Sequence, residues 1–116
     1  MPIRALEKPP LSDLVGVPEK FVIFYSSVVD GQLWCPYCRD VEDRVQTTFS
    51  AEGAPDLLIV HVGDRPEWKT PDAIYRKEPW SVTGVPTLIK LDAEGKEVAR
   101  LSGTKILDGL DEIIRD

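Results

Sequence analysis

Three short apolar runs set the frame of this chain. Glu19 to Ser26 contains Phe21-Val22-Ile23-Phe24-Tyr25 with no polar interruption, and Leu57 to Val62 reads Leu-Leu-Ile-Val-His-Val. Runs of this length without alternation predict strands buried on both faces, as in a parallel sheet. Thr87 to Leu91 is a third strand, opened by Gly84-Val85-Pro86. The turn Asp92-Ala93-Glu94-Gly95 then leads back into Lys96 to Leu101, whose alternating charges predict an edge strand.

Helical periodicity appears between these runs. From Pro36 to about Ala51, the residues Cys38, Val41, Val45 and Phe49 fall on one stripe, and Gly53 and Pro55 are stop signals. Gly103-Thr104 opens a last helix with Ile106, Leu107, Leu110, Ile113 and Ile114 on one face. Weaker signals predict an edge strand over Pro2 to Leu6, broken by Pro9-Pro10, and a helical turn from Ser12 or Asp13 near Leu11 and Leu14. Thr70-Pro71 predicts the start of a short helix reaching about Lys77, stopped by Pro79. Ser27 to Leu33 reads as a loop turning at Asp30-Gly31.

A βαβ half followed by a ββα half predicts an α/β fold, a central mixed β-sheet flanked by helices on both faces. With a right-handed crossover, the Pro36 helix begins at the C-terminal end of the Phe21 strand, where such sheets bind ligands. The chain of 116 residues suits a single domain over residues 1–116. A net charge of -6 argues against nucleic acid and anionic membrane as partners. No stretch approaches the length of a membrane helix, and Met1-Pro2-Ile3-Arg4 lacks the apolar core of a signal peptide.

The chemistry lies in Trp34-Cys35-Pro36-Tyr37-Cys38, which holds both cysteines. Thiolate is the attacking species in disulfide exchange, and the first turn of a helix favours negative charge. Cys35 is expected at the N-cap, with Pro36 at the first helical position, where a missing N–H costs nothing. Cys38, one turn on, is placed to attack a mixed disulfide on Cys35. Cys35 thus reads as an exposed nucleophile and Cys38 as a buried resolving thiol. A chain whose only cysteines form such a pair fits a reducing compartment, and the expected location is cytoplasmic. A structural zinc site needs four ligands as a rule, more than two cysteines and one histidine supply, so no metal is expected. His61 reads as structural rather than catalytic. Arg39, Asp40, Glu42 and Asp43 read as a solvated helix face. Trp68 and Trp80 either lid the core or shape a substrate groove.

Trp34-Cys35-x-x-Cys38 and Val85-Pro86-Thr87 resemble the active site and proline loop of the thioredoxin superfamily. Val62-Gly63, Pro66-x-Trp68-Lys69, Arg76-Lys77 and Leu88 extend the likeness to its Clot-type, thioredoxin domain-containing protein 17-like family. The resemblance implies a thioredoxin fold and a monomeric disulfide reductase recycled by thioredoxin reductase. NADPH then serves indirectly, with no cofactor bound, and small or particular disulfides such as cystine are the substrates. It implies that Trp34, Pro36, Tyr37, Val85 and Pro86 meet the substrate, with Pro86 cis and the Val85 backbone pairing with it. The N-terminal segment departs from the resemblance in being shorter, so a reduced first helix is expected.

Two further features depart from the resemblance. Tyr37 stands where the family usually has an acidic residue, a change that favours negative charge on a neighbouring sulfur. The Phe21 strand lacks the acidic residue that thioredoxins use as proton acceptor. Cys-Pro-Tyr-Cys is also the dithiol motif of glutaredoxins, so glutathione is the alternative reductant, with Lys69, Arg76 or Lys77 to hold its carboxylates. A third reading is a non-enzymatic adaptor docking through Trp68 and Trp80.

Overall fold

The computed structural model describes residues 3–115. Five strands form one sheet in the order β1 (Ile3–Glu7), β5 (Leu57–His61), β2 (Phe21–Tyr25), β6 (Thr87–Leu91), β7 (Glu97–Ser102). β5 runs parallel to both β1 and β2, in register Phe21↔Leu57 through Tyr25↔His61. β6 is antiparallel to β2 and β7 to β6. The central position of β2 explains its unbroken apolar run, since all five of its residues are buried. β1 and β7 are the edges, as expected, although Pro2 of the predicted first strand lies outside the described residues.

Alternation along β2 divides the core. Phe21, Ile23 and Tyr25 face α1 (Pro36–Ser50) and α3 (Lys105–Ile113), meeting Cys38, Val41, Val45, Phe49, Ile106 and Leu110. Val22 and Phe24 face the opposite layer, with Trp68, Tyr75, Trp80 and Val82. There Phe24 sits 5.8 Å from the Tyr75 ring and 5.5 Å from that of Trp80. The tryptophans are therefore core lids, 3% and 8% exposed, and neither indole is available as a docking surface. Helices cover both faces, as the pattern predicts. The first helix is reduced to one 3-10 turn, Leu11–Leu14.

Two local readings need correction. The helix expected over Pro71 to Lys77 begins earlier, as α2 (Arg65–Lys69), and only a 3-10 turn, Ile74–Arg76, follows. A capping box decides this. The Asp64 carboxylate accepts from the Glu67 N–H, and Glu67 accepts in return from the Asp64 N–H. Pro71 stops α2 rather than starting a helix, because proline disfavours helical geometry at the residue before it, and Thr70 is extended at ψ 141°. The loop from Ser27 to Leu33 holds a small hairpin, β3 (Val28–Val29) with β4 (Gln32–Leu33). Asp30 and Gly31 both take positive φ, 53° and 85°, as tight two-residue hairpin turns require.

A charged clasp ties the edge of the parallel half to its centre. Arg4 on β1 donates to both carboxylate oxygens of Glu19, at 2.8 and 3.0 Å, and the Glu19 side chain is only 6% exposed. The Arg4 hydrogen bond, partly opposed by burial, holds the Glu19 carboxyl below its ordinary value. A lowered folded-state value stabilises the fold above the unfolded value of 4.5 and loses that contribution as pH falls through the folded value. Arg4→Met should cost about 1–2 kcal/mol at neutral pH, discounted for the half-exposed guanidinium. The gap to wild type should narrow below pH 4.5, as read by urea unfolding across pH.

Candidate active site

The turn from β2 into α1 is built around two serines. Ser26 and Ser27 follow the last residue of β2 and are buried. Cys35 occupies the N-cap of α1 in extended geometry, φ -90° and ψ 121°, with Pro36 in the first turn. Its backbone N–H donates to Ser26 Oγ at 3.1 Å, and the Ser26 N–H donates to Cys38 Sγ at 3.5 Å. His61, at the end of β5, donates Nδ1–H to the Ser26 carbonyl at 2.9 Å. This contact gives the single histidine a positioning part. One residue thus grips both cysteines and is held in turn by the neighbouring strand.

Ser27 and Gly63 place Trp34. The Gly63 carbonyl accepts from the Ser27 N–H at 3.1 Å and from the Trp34 indole N–H at 2.8 Å. The Gly63 N–H donates to Ser27 Oγ, and that hydroxyl donates to Glu7 at 2.6 Å. Gly63 adopts φ +113°, and a Cβ there would meet Glu67 at 3.0–3.3 Å, so a side chain is excluded by both backbone and space. Arg39 is not the solvated residue expected. Its guanidinium donates to the Leu33 carbonyl at 2.7 Å and straps the hairpin to α1. Asp40, Glu42 and Asp43 are exposed, as read.

Both cysteines carry free thiols. Cys38 is fully buried, as expected, and burial pushes its thiol up. The Ser26 N–H bond partly opposes that shift and the adjoining Cys35 thiol adds to it. Cys35 departs from the exposed nucleophile expected: it is 6% exposed, because Ser26 draws its backbone inward and its Sγ reaches the Val85 carbonyl at 3.6 Å. The Val85–Pro86 peptide is cis, and Pro86 is buried. Around this narrow opening, Tyr37 is 60% exposed, Pro36 is exposed, and Trp34 and Val85 are half-buried. The residues expected to line the site are therefore grouped. Of the residues expected to hold glutathione, Arg76 is engaged elsewhere: it stacks 4.0 Å from the Trp68 ring centroid and donates to the Trp68 and Thr83 carbonyls.

No acidic side chain lies in β2, and the ionisable residue of that strand is Tyr25. The Tyr25 hydroxyl is buried without a partner, and burial pushes it far above its ordinary range. It is no proton acceptor for Cys38 at neutral pH. Sequence reasoning missed Ser26, Ser27 and Gly63. Only the adjacency of Ser-Ser to the end of an apolar strand signals them. Among the described residues, no group of three His, Cys, Asp or Glu is arranged to hold a metal.

Comparison with known proteins gives consistent relatives. Residues 13–111 match the family described as thioredoxin domain-containing protein 17-like, thioredoxin domain. The chain is similar to thioredoxin-like protein Clot of Oryza sativa subsp. japonica, 34% identical over 72% of this chain and 65% of that protein. It is similar to thioredoxin domain-containing protein 17 of Homo sapiens, 37% identical over 59% of this chain and 55% of that one. Disulfide bond reductase DsbH of Chlamydia pneumoniae is 31% identical over 61% of this chain and 47% of its own. The matched stretches thus span between about half and two thirds of these relatives.

Ser26→Ala removes the acceptor for a buried N–H and should destabilise the reduced protein by about 1–3 kcal/mol in urea. The Ser26 hydroxyl, like the backbone N–H that the variant keeps, holds the Cys38 thiol down, so its loss should move that thiol further up, as read from its carbon shifts in an NMR titration.

Proposed function

We propose, from the premise that this chain belongs to the thioredoxin domain-containing protein 17-like family, that it is a thiol–disulfide oxidoreductase working as a disulfide reductase. The observation that carries this reading is the pair of free thiols on one turn of α1, with Cys35 opening to the rim and Cys38 sealed beneath it. The DsbH relative, a disulfide bond reductase by its description, supports the same direction of reaction.

Cys35 thiolate attacks one sulfur of a substrate disulfide. The substrate S–S bond breaks, its distal sulfur leaves as thiolate and takes a proton, and Cys35 is left in a mixed disulfide. Cys38, losing its proton, then attacks Cys35 Sγ. The second substrate thiol leaves, and a Cys35–Cys38 disulfide remains. Two electrons pass from the dithiol to the substrate, and the two thiol protons end on the products. Trp34, Pro36, Tyr37, Val85 and Pro86 form the rim that receives the substrate, and Ser26 stabilises the Cys38 thiolate where thioredoxins use an acid.

Thioredoxin reductase, with NADPH as the electron source, restores the dithiol in this reading. It is preferred over glutathione because the chain resembles the thioredoxin-related family and because Arg76, one of three candidates to hold a glutathione carboxylate, is already bound to backbone carbonyls. A reducing, cytoplasmic setting belongs to the same proposal, since the dithiol cycles only where reductant is supplied. Among the described residues, no helix is long and apolar enough to cross a membrane.

NADPH consumption with a disulfide substrate tests the proposal, with thioredoxin reductase in one arm and glutathione plus glutathione reductase in the other. Turnover is expected in the first arm, and turnover confined to the second reassigns the reductant. Cys35→Ser should lower turnover by more than about a thousandfold, and full activity in that variant refutes the assignment. Cys38→Ser should accumulate a mixed disulfide visible by mass spectrometry. The raised Cys38 thiol carries a pH signature. Its thiolate fraction grows with pH, so resolution of the mixed disulfide in stopped flow should quicken by up to about tenfold per pH unit above neutrality.

A further inference from the structure

One cation at the dithiol rim is unspent. Arg65, the first residue of α2, lies with Cζ 4.7 Å from the centroid of the Trp34 ring. The indole beneath it is fixed, because its N–H is bonded to the Gly63 carbonyl two residues before Arg65. A single loop therefore clasps Trp34 twice, by its edge at Gly63 and by its face at Arg65. Trp34 directly precedes Cys35, so the stacked guanidinium is held on the residue next to the nucleophile.

Two other arginines of the chain, by contrast, are occupied. Arg39 serves the Leu33 carbonyl, and Arg76 serves Trp68 and Thr83. The carboxylates closest to Arg65 in sequence are occupied too. Asp64 caps the Glu67 N–H, while Glu67 caps Asp64 and pairs with Lys8 at 3.1 Å. Among the described residues, Arg65 makes no hydrogen bond or ion pair, and it is exposed. Stacking uses the flat face of a guanidinium and leaves its N–H edge for an acceptor, and the geometry of that edge suits a carboxylate. In a chain of net charge -6, a fixed and unpaired cation beside the nucleophile stands out.

We propose that Arg65, held on Trp34, is a specificity-determining residue that favours small disulfides carrying a carboxylate close to the reacting sulfur. The proposal rests on the disulfide reductase reading above and adds the charge of the substrate. Carboxylates out of contact with such a substrate repel it weakly through solvent, whereas a guanidinium that pairs with it acts at contact range.

The test needs no partner enzyme. Pre-reduced protein is mixed with dithiodiglycolate (anionic), bis(hydroxyethyl) disulfide (neutral) or cystamine (cationic), and oxidation to the Cys35–Cys38 disulfide is followed by tryptophan fluorescence and mass. Arg65→Gln should slow the anionic reaction by about five- to tenfold at low ionic strength, keep the neutral one within about twofold and quicken the cationic one. Arg65→Lys should restore part of the anionic rate, and added salt should compress the differences. Arg65→Met repeats the test without a hydrogen-bonding group, and urea midpoints verify that each variant is folded. Equal changes for all three disulfides, or none, overturn the inference and leave Arg65 as a packing residue. If the wild-type protein is oxidised by none of them, the reductase reading itself falls.

Discussion

Everything at the working end of this protein hangs from the peptide that closes β2. Ser26 is buried, so each of its polar atoms must find a partner within the protein. Its hydroxyl accepts from Cys35, its N–H donates to Cys38, and its carbonyl takes His61. These contacts fix the N-cap of α1 to the centre of the sheet, so both sulfurs are placed by the rigid β2–β5 pair rather than by a mobile loop. The same contacts explain why Cys38 lies deep and Cys35 only just reaches the rim.

The two core layers divide the labour. α1 and α3 cover the face that carries the thiols, and the Phe21–Phe49 rings, 5.3 Å apart, anchor the far end of α1. The opposite face buries Trp68, Tyr75 and Trp80 around Phe24, and the Tyr75 hydroxyl donates to the Pro9 carbonyl. Trp34 and Val85 pack against both layers. They stand where the layers meet, at the end of the sheet, and this shared support lets a half-buried tryptophan and a proline loop frame a narrow opening.

Charge follows the same economy. Most arginines are tied to carbonyls or carboxylates, several in contacts that brace chain segments far apart in sequence, such as Arg44 with Asp111 and Arg100 with the Trp80 carbonyl. Arg65 instead is braced by a ring and keeps its donors. In the role proposed for it, a guanidinium held on the ring next to Cys35 selects by local contact, which long-range charge alone does not provide.

Local signals on one segment were enough to read α1, the buried strands, the Asp30-Gly31 turn and the dithiol. Periodicity, turn chemistry and C-x-x-C spacing are properties of neighbouring residues. Where two local signals competed, the reading failed: Thr70-Pro71 looked like a helix start, while the Asp64–Glu67 capping box began α2 earlier. Arg39 reads as a solvated charge because sequence does not show that the hairpin returns a carbonyl to it. The sequence by itself determined which residues carry the chemistry and which faces are apolar. Only the tertiary structure decided that Ser26 and His61 hold the dithiol, that Cys35 is nearly covered, and that Arg65 rests on Trp34. Those contacts join residues 9 to 50 positions apart. Packing of the sheet brings such residues together, and no local periodicity records it.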